Sequence, residues 1–246
     1  MIDRLLNYGR SSIAEFAALA EPVSKALDIG AGPGSDLGIV KSIYPAADVV
    51  GIEGFAIFRE MLAAANVKSV SIDIERDVFP FADESFDLVM ANQVLEHVKE
   101  IFWIFHNATR VLKVGGHLVI GVPNLASLHN RLLLLVGRQP TSIGNNSAHI
   151  RGYTRMDMLR LLECGFPRGY QLRKSRGGNF YPFPPFIARP LATMFPGMAV
   201  SFFLLLRKTR KYDGSFLRYP VEKQLNSNFF VGGPDAQWTF NDRTSE

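Results

Sequence analysis

A single cysteine in 246 residues leaves no partner for an internal disulfide and excludes a multi-cysteine zinc site. That residue, Cys164, lies in the run LLECG at 161–165, where a packed and inert thiol is expected. No run of 18 apolar residues occurs: the nearest, 191–206, is broken by Pro196 and Gly197, so a spanning helix is not expected. Net charge is also small, 27 Lys and Arg against 23 Asp and Glu, or +4, which gives nucleic acid little to hold. Asp3, Arg4, Arg10 and Glu15 interrupt any apolar leader, and no segment repeats. What remains is 47% hydrophobic and 20% charged, an ordinary globular chain long enough for one large α/β domain or two small ones. The cytoplasm is the expected compartment.

Against these absences stands one dense feature, ALDIGAGPGSDL at 26–37. An apolar strand over 23–29 carries Asp28 near its end, glycine then falls at 30, 32 and 34, and a helix follows. Such a turn at the carboxyl end of a parallel strand is where open α/β sheets bind nucleotide-like ligands. The dinucleotide spacing GxGxxG would put its third glycine at position 35, which is Ser35; Gly34 comes one residue early.

Strand and helix patterns alternate five times: strands over 23–29, 48–52, 68–72, 86–92 and 117–122, with helices between them. Alternation of this kind predicts a parallel sheet with helices on both faces and right-handed crossovers. Ser12 and Glu15 match a capping box that opens a first helix, and Gly115-Gly116 reads as the stop of the helix that begins near Val98. Beyond Pro123 the pattern changes to an apolar helical piece at 127–136, a polar loop at 137–149 and a capped helix from Thr154 to Gly165. Two last strands at 170–176 and 199–207 flank a Phe/Pro-rich segment, NFYPFPPFIARPLATMFPGM. From Lys211 the chain is polar and weakly patterned.

The order Asp28-x-Gly30-x-Gly32-x-Gly34 resembles the first motif of class I S-adenosylmethionine-dependent methyltransferases, and the likeness runs over about 20–210. It is similar to the bacterial small-molecule members of that class. It implies a Rossmann-like, doubly wound, seven-stranded α/β sheet, mostly parallel with one antiparallel strand near the C-terminus, and a cap insertion at about 124–150. A methyltransferase domain would then occupy 1–210, with the Phe/Pro insertion at 179–198 and a tail at 211–246. The implied cofactor is S-adenosyl-L-methionine. Asp28, Gly30, Gly32 and Gly34 would surround its methionine end, Glu53 its ribose, and Asp73 and Ile74 its adenine. Asn92 and Gln93, at the exit of the fourth strand, would line the methionine moiety or the acceptor.

Three further elements carry two readings each. Glu96-His97 repeats the last two members of a Glu-x-x-Glu-His metal motif, but Gln93 stands at the first position and is a poor ligand for a hard cation, so no metal is assigned. In the other reading His97 caps and packs the start of the next helix. His149 and Arg151, in HIRGYT, are a catalytic base with an anion-binding arginine, or else a hydrogen-bonded hinge of the cap. The Phe/Pro segment and the basic run 207–211 form a peripheral membrane contact through 179–211, or else a substrate lid with a buried last strand whose terminal Arg-Lys is solvated.

The expected function is methyl transfer, at oxygen, to a small-molecule or carrier-linked acceptor of glycan, lipid or quinone type. Two other classes stay open: a cofactor-binding regulatory protein without turnover, and an NAD-dependent dehydrogenase.

Overall fold

The computed structural model of the protein describes residues 9–233. Its sheet runs β3-β2-β1-β4-β5-β7-β6, and all neighbours are parallel except that β7 runs against both β5 and β6. The elements on the cofactor-loop side are α1 (Arg10–Leu19), β1 (Lys25–Ile29), α2 (Ser35–Ile43), β2 (Asp48–Ile52), α3 (Ala56–Ala64) and β3 (Lys68–Val70). The chain then returns to the centre through β4 (Phe86–Asn92), α4 (Ile101–Val111) and β5 (Leu112–Pro123). After β5 come α5 (Leu128–Leu135), α6 (Arg155–Gly165), β6 (Tyr170–Gly178), α7 (Pro185–Met194), β7 (Ser201–Lys208) and α8 (Ser215–Glu222). Strand order reverses between β1 and β4, which opens a crevice at their carboxyl ends.

Alternating side chains load both faces of the sheet. Leu27, Ile29, Val50 and Val89 pack beneath α4, α6 and α8, whereas Ala26, Val49, Leu88 and Met90 pack beneath α1, α2 and α3. A third, small core of Phe180, Ala188, Ala192 and Ala199, joined by Leu128 and Leu191, holds α7 against the start of α5. The seven strands and the single antiparallel one are as the resemblance implies.

Several local readings are corrected. Ser12 caps nothing: α1 starts at Arg10 after Gly9, and Ser12 is buried inside the helix. Gly115-Gly116 does not stop a helix either. The helix ends at Val111, and β5 begins at once and bulges, so that Phe86 to Leu88 on β4 faces Leu112 to His117 on β5. Gly115 supplies a φ of +86°, and a Cβ on Gly116 would lie 2.9 Å from the Asp87 carbonyl. Lys208 is not solvated: its ammonium is buried and donates to the carbonyls of Thr109 (3.0 Å) and Leu112 (2.6 Å) at the end of α4. Past Lys211, where the sequence shows little pattern, α8 plants Phe216 in the main core, stacked on Phe105 with ring centroids 5.4 Å apart. The last part of that stretch, 234–246, lies outside the described residues, as do residues 1–8.

Candidate active site

The loop between β1 and α2 is shaped by glycines at positive φ. A Cβ on Gly30 would meet Val94 at 2.8 Å and one on Gly34 would meet Leu62 at 2.6 Å, whereas one on Gly32 would meet none of the described residues within 4 Å. Two glycines thus bring the loop against its neighbours, and the third leaves backbone open to a ligand. Glu53, buried after β2, holds this loop: its Oε2 accepts from the Gly32 amide and its Oε1 from the Phe55 amide, both at 2.7 Å. Each oxygen keeps a second lone pair for a hydroxyl.

Three acids crowd the same edge. Burial pushes the Asp28 carboxyl well above the usual range, and the charges of Asp36 and Glu53 push it the same way. Burial also raises Asp36, opposed by a 2.7 Å hydrogen bond from Asn92 Nδ2 and by the Arg10 guanidinium, 3.9 Å away. Acids held this far from water favour a cation beside them. The open glycine cradle and this acid cluster suit a ligand that carries a sulfonium and an ammonium group.

The remaining expected residues fall on the same edge. Asp73 is exposed in the turn after β3, where its Oδ1 accepts from the Glu75 amide at 2.9 Å, and Ile74 rests half-buried on the main core. Gln93 leaves β4 at a φ of +55°; its backbone amide donates to Gly121 O at 2.7 Å, and its buried Nε2 meets no partner among the described residues. That donor is another group aimed at a ligand or water.

The cap closes on the chain that follows β4. The amides of Ile150 and Arg151 donate to the Glu96 carbonyl at 2.8 and 3.1 Å, and Tyr153 Oη donates to Leu95 O at 3.1 Å. Arg151 donates through Nε to Val98 O at 3.1 Å and through Nη2 to Lys99 O. Its guanidinium therefore acts as a fastener of the cap. His97 does not cap α4, whose preceding residue is Glu100; it is exposed, with Nδ1 3.1 Å from Ala148 O. His149 stands beside it, ring centroids 4.8 Å apart, with its own Nδ1 2.9 Å from Ser142 O. A carbonyl only accepts, so Nδ1 of each ring carries a proton, and in the neutral imidazole Nε2 presents the lone pair. Glu96, 1% exposed, has one carboxylate oxygen without a partner among the described residues, and burial raises its pKa to about 7.

Glu96, His97 and His149 each offer a ligand atom, all within 4.8 Å of one another. That donor set suits a divalent transition-metal ion. The third donor, His149, comes from the cap. Sequence reasoning missed this meeting, along with Asp36 and Tyr153, because the 52 residues between Glu96 and His149 hide their contact. The signal present was the grouping of His149, Arg151 and Tyr153 in HIRGYT.

Residues 27–120 match the family model described as a methyltransferase domain. Over these residues the chain is similar to methyltransferase domains. The match spans β1 to β5 and so includes the glycine loop and Glu53. Similar proteins include a malonyl-[acyl-carrier protein] O-methyltransferase of Legionella pneumophila, 34% identical over 38% of this chain and 34% of its own length. Another is the 27-O-demethylrifamycin SV methyltransferase of Amycolatopsis mediterranei, 33% identical over 42% of this chain and 41% of that one. The chain thus spans less than half the length of either relative. Among solved structures, a SAM-dependent methyltransferase from Archaeoglobus fulgidus superposes with a TM-score of 0.58 at 13% identity, over 82% of this chain and 94% of that one. That likeness shows the fold. Together with the fit of loop and acids, the methyltransferase domain implies S-adenosylmethionine as its cofactor.

Proposed function

We propose that this chain transfers the methyl group of S-adenosylmethionine to an oxygen of a small-molecule or carrier-linked acceptor, of glycan, lipid or quinone type. The observation that carries the reading is the acid-lined glycine loop, open at Gly32 and faced at Gly30 by Val94, in the chain after β4 on which the cap closes. The cofactor, when bound, supplies a methyl carbon activated by a positive sulfur, so the protein's work is to orient the acceptor and exclude water. Asp28, Gly30, Gly32 and Gly34 would hold the methionine end, Glu53 the ribose hydroxyls, and Asp73 and Ile74 the adenine. Asn92 and Gln93 would line the methyl-bearing side.

His149 is the base of this reading. Its Nδ1 is tied to Ser142 O, which leaves Nε2 to take a hydroxyl proton. Arg151 positions it by pinning the cap to Val98 and Lys99. Relatives whose names record O-methylation of an acyl-carrier-linked malonyl group, and methylation of a demethylrifamycin, support oxygen and carrier-linked acceptors.

The test comes in two steps. Calorimetry should show S-adenosylhomocysteine binding, and radiolabelled methyl should then pass to one of several acceptor pools. Binding without transfer to any pool would leave a regulatory cofactor-binding protein. Binding of NAD in place of S-adenosylhomocysteine would make the chain a dehydrogenase.

A further inference from the structure

The sequence puts the Phe/Pro segment and the basic run 207–211 in one candidate membrane contact, and the fold separates them. Ser201, at the start of β7, pairs with Pro123 at the carboxyl end of β5, whereas Arg207 pairs with His117 at the other end. Eight residues of strand put roughly 25 Å between the two. Lys208 is buried, and Arg210 lies over the Phe166 ring, 4.2 Å from its centroid.

A different surface takes shape beside the cofactor edge. Helices α5 and α7 share the small core, and His129 meets Tyr181 across it with ring centroids 4.8 Å apart. Each helix turns Asn130 or Ala188 and Ala192 inward and leaves large apolar groups outward: Leu135 is 81% exposed, Val136 67%, Phe186 76% and Met194 69%. Arg131, Arg138 and Arg189 stand exposed among them. Charge there is of one sign. Residues 101–156 and 164–212 contain no Asp or Glu, and 101–212 as a whole holds 16 Lys and Arg against Asp157 and Glu163.

We infer that the outer faces of α5 and α7 dock the protein on a bilayer that carries anionic lipid. Apolar side chains of this size gain by entering the interface, and arginines beside them meet lipid phosphates. A second copy fits the face poorly. In a two-fold contact the face meets itself, so arginine would oppose arginine with no carboxylate to intervene. Because both helices spring from the carboxyl edge of the sheet, docking would hold the mouth between cap and glycine loop at the lipid surface. The inference stands apart from the identity of the acceptor and from turnover itself.

The test is co-sedimentation of the full chain with vesicles of phosphatidylcholine alone or of equimolar phosphatidylcholine and phosphatidylglycerol. The mixed vesicles should pellet the protein and the neutral ones should not, and each of R131Q, R138Q and R189Q should lower partitioning about fivefold. The double variant L135E/F186E should lose at least about tenfold, while R210Q/K211Q, at the opposite end of β7, should bind as the parent does. Unchanged S-adenosylhomocysteine binding by calorimetry would show that the variants are folded. Absence of lipid-dependent pelleting would overturn the inference, as would equal pelleting by L135E/F186E. So would sedimentation of a dimer that the same pair disperses, for then a second copy covers the face.

Discussion

The glycine loop and the cap meet at one edge of the sheet, yet they are built on opposite terms. Residues 1–100 carry 16 acids against 8 bases, and Asp28, Asp36 and Glu53 are buried together at the loop. The cap side is basic where charged, and its largest apolar groups face outward. One side is prepared for a compact cation, the other for an extended anionic or apolar partner. Methyl transfer needs both, because cofactor and acceptor must meet while water is kept out.

The largest effect should come from a residue whose neighbourhood the sequence hardly marks. Phe216 is fully buried against Phe105, Phe166 and Tyr212, and a Cβ on Gly165 would lie 2.1 Å from its ring. Phe216→Ala should cost about 3–5 kcal/mol in denaturant unfolding. A loss near zero would mean that α8 is dispensable to the core. Next in size is Glu53→Gln, which removes the charge from two loop hydrogen bonds and from any ribose contact. It should weaken S-adenosylhomocysteine binding about 100-fold by calorimetry, a loss on the scale of two charge-assisted bonds. Unchanged affinity would detach Glu53 from the cofactor.

What was legible in the sequence follows the same division. The glycine loop is read from local spacing, because a tight turn at a strand's carboxyl end needs glycine at fixed offsets, whereas Glu53 and the β4 exit come from the resemblance that the loop carries. The parallel sheet follows from alternation, and its seven strands with one antiparallel follow from the resemblance. The bulge at Gly115 was misread because paired glycines after an apolar helical pattern signal a stop and a bulge equally well. Burial of Lys208 was invisible: the carbonyls that receive it belong to Thr109 and Leu112, about a hundred residues earlier. The meeting of Glu96, His97 and His149 is likewise a product of chain return.

A third measurement probes that return. Burial holds the Glu96 carboxyl near pH 7, against an ordinary value of 4.5. Across this window the folded chain keeps a proton that the unfolded chain has released, so stability should fall as pH rises from 4.5 to 7 and then level off. Glu96→Gln removes the fall and should be more stable than the parent above pH 7 by up to about 3 kcal/mol, measured with a chelator present. Parallel unfolding curves for the two proteins at every pH would place the charge in water.

The smallest effect belongs to the outer cap. Phe186 is as large as Phe216, but 76% of it is exposed, against none of the other. Truncation in solution removes little that folding had buried, so Phe186→Ala and Leu135→Ala should each change unfolding free energy by less than about 0.5 kcal/mol. Identical chemistry at Phe216 and Phe186 thus separates a side chain that folding requires from one that it leaves outside. A loss above about 2 kcal/mol at Phe186 would place the ring in a core after all. The outer face would then owe its apolar character to folding, and the contrast between the two sides of the edge would rest on charge alone.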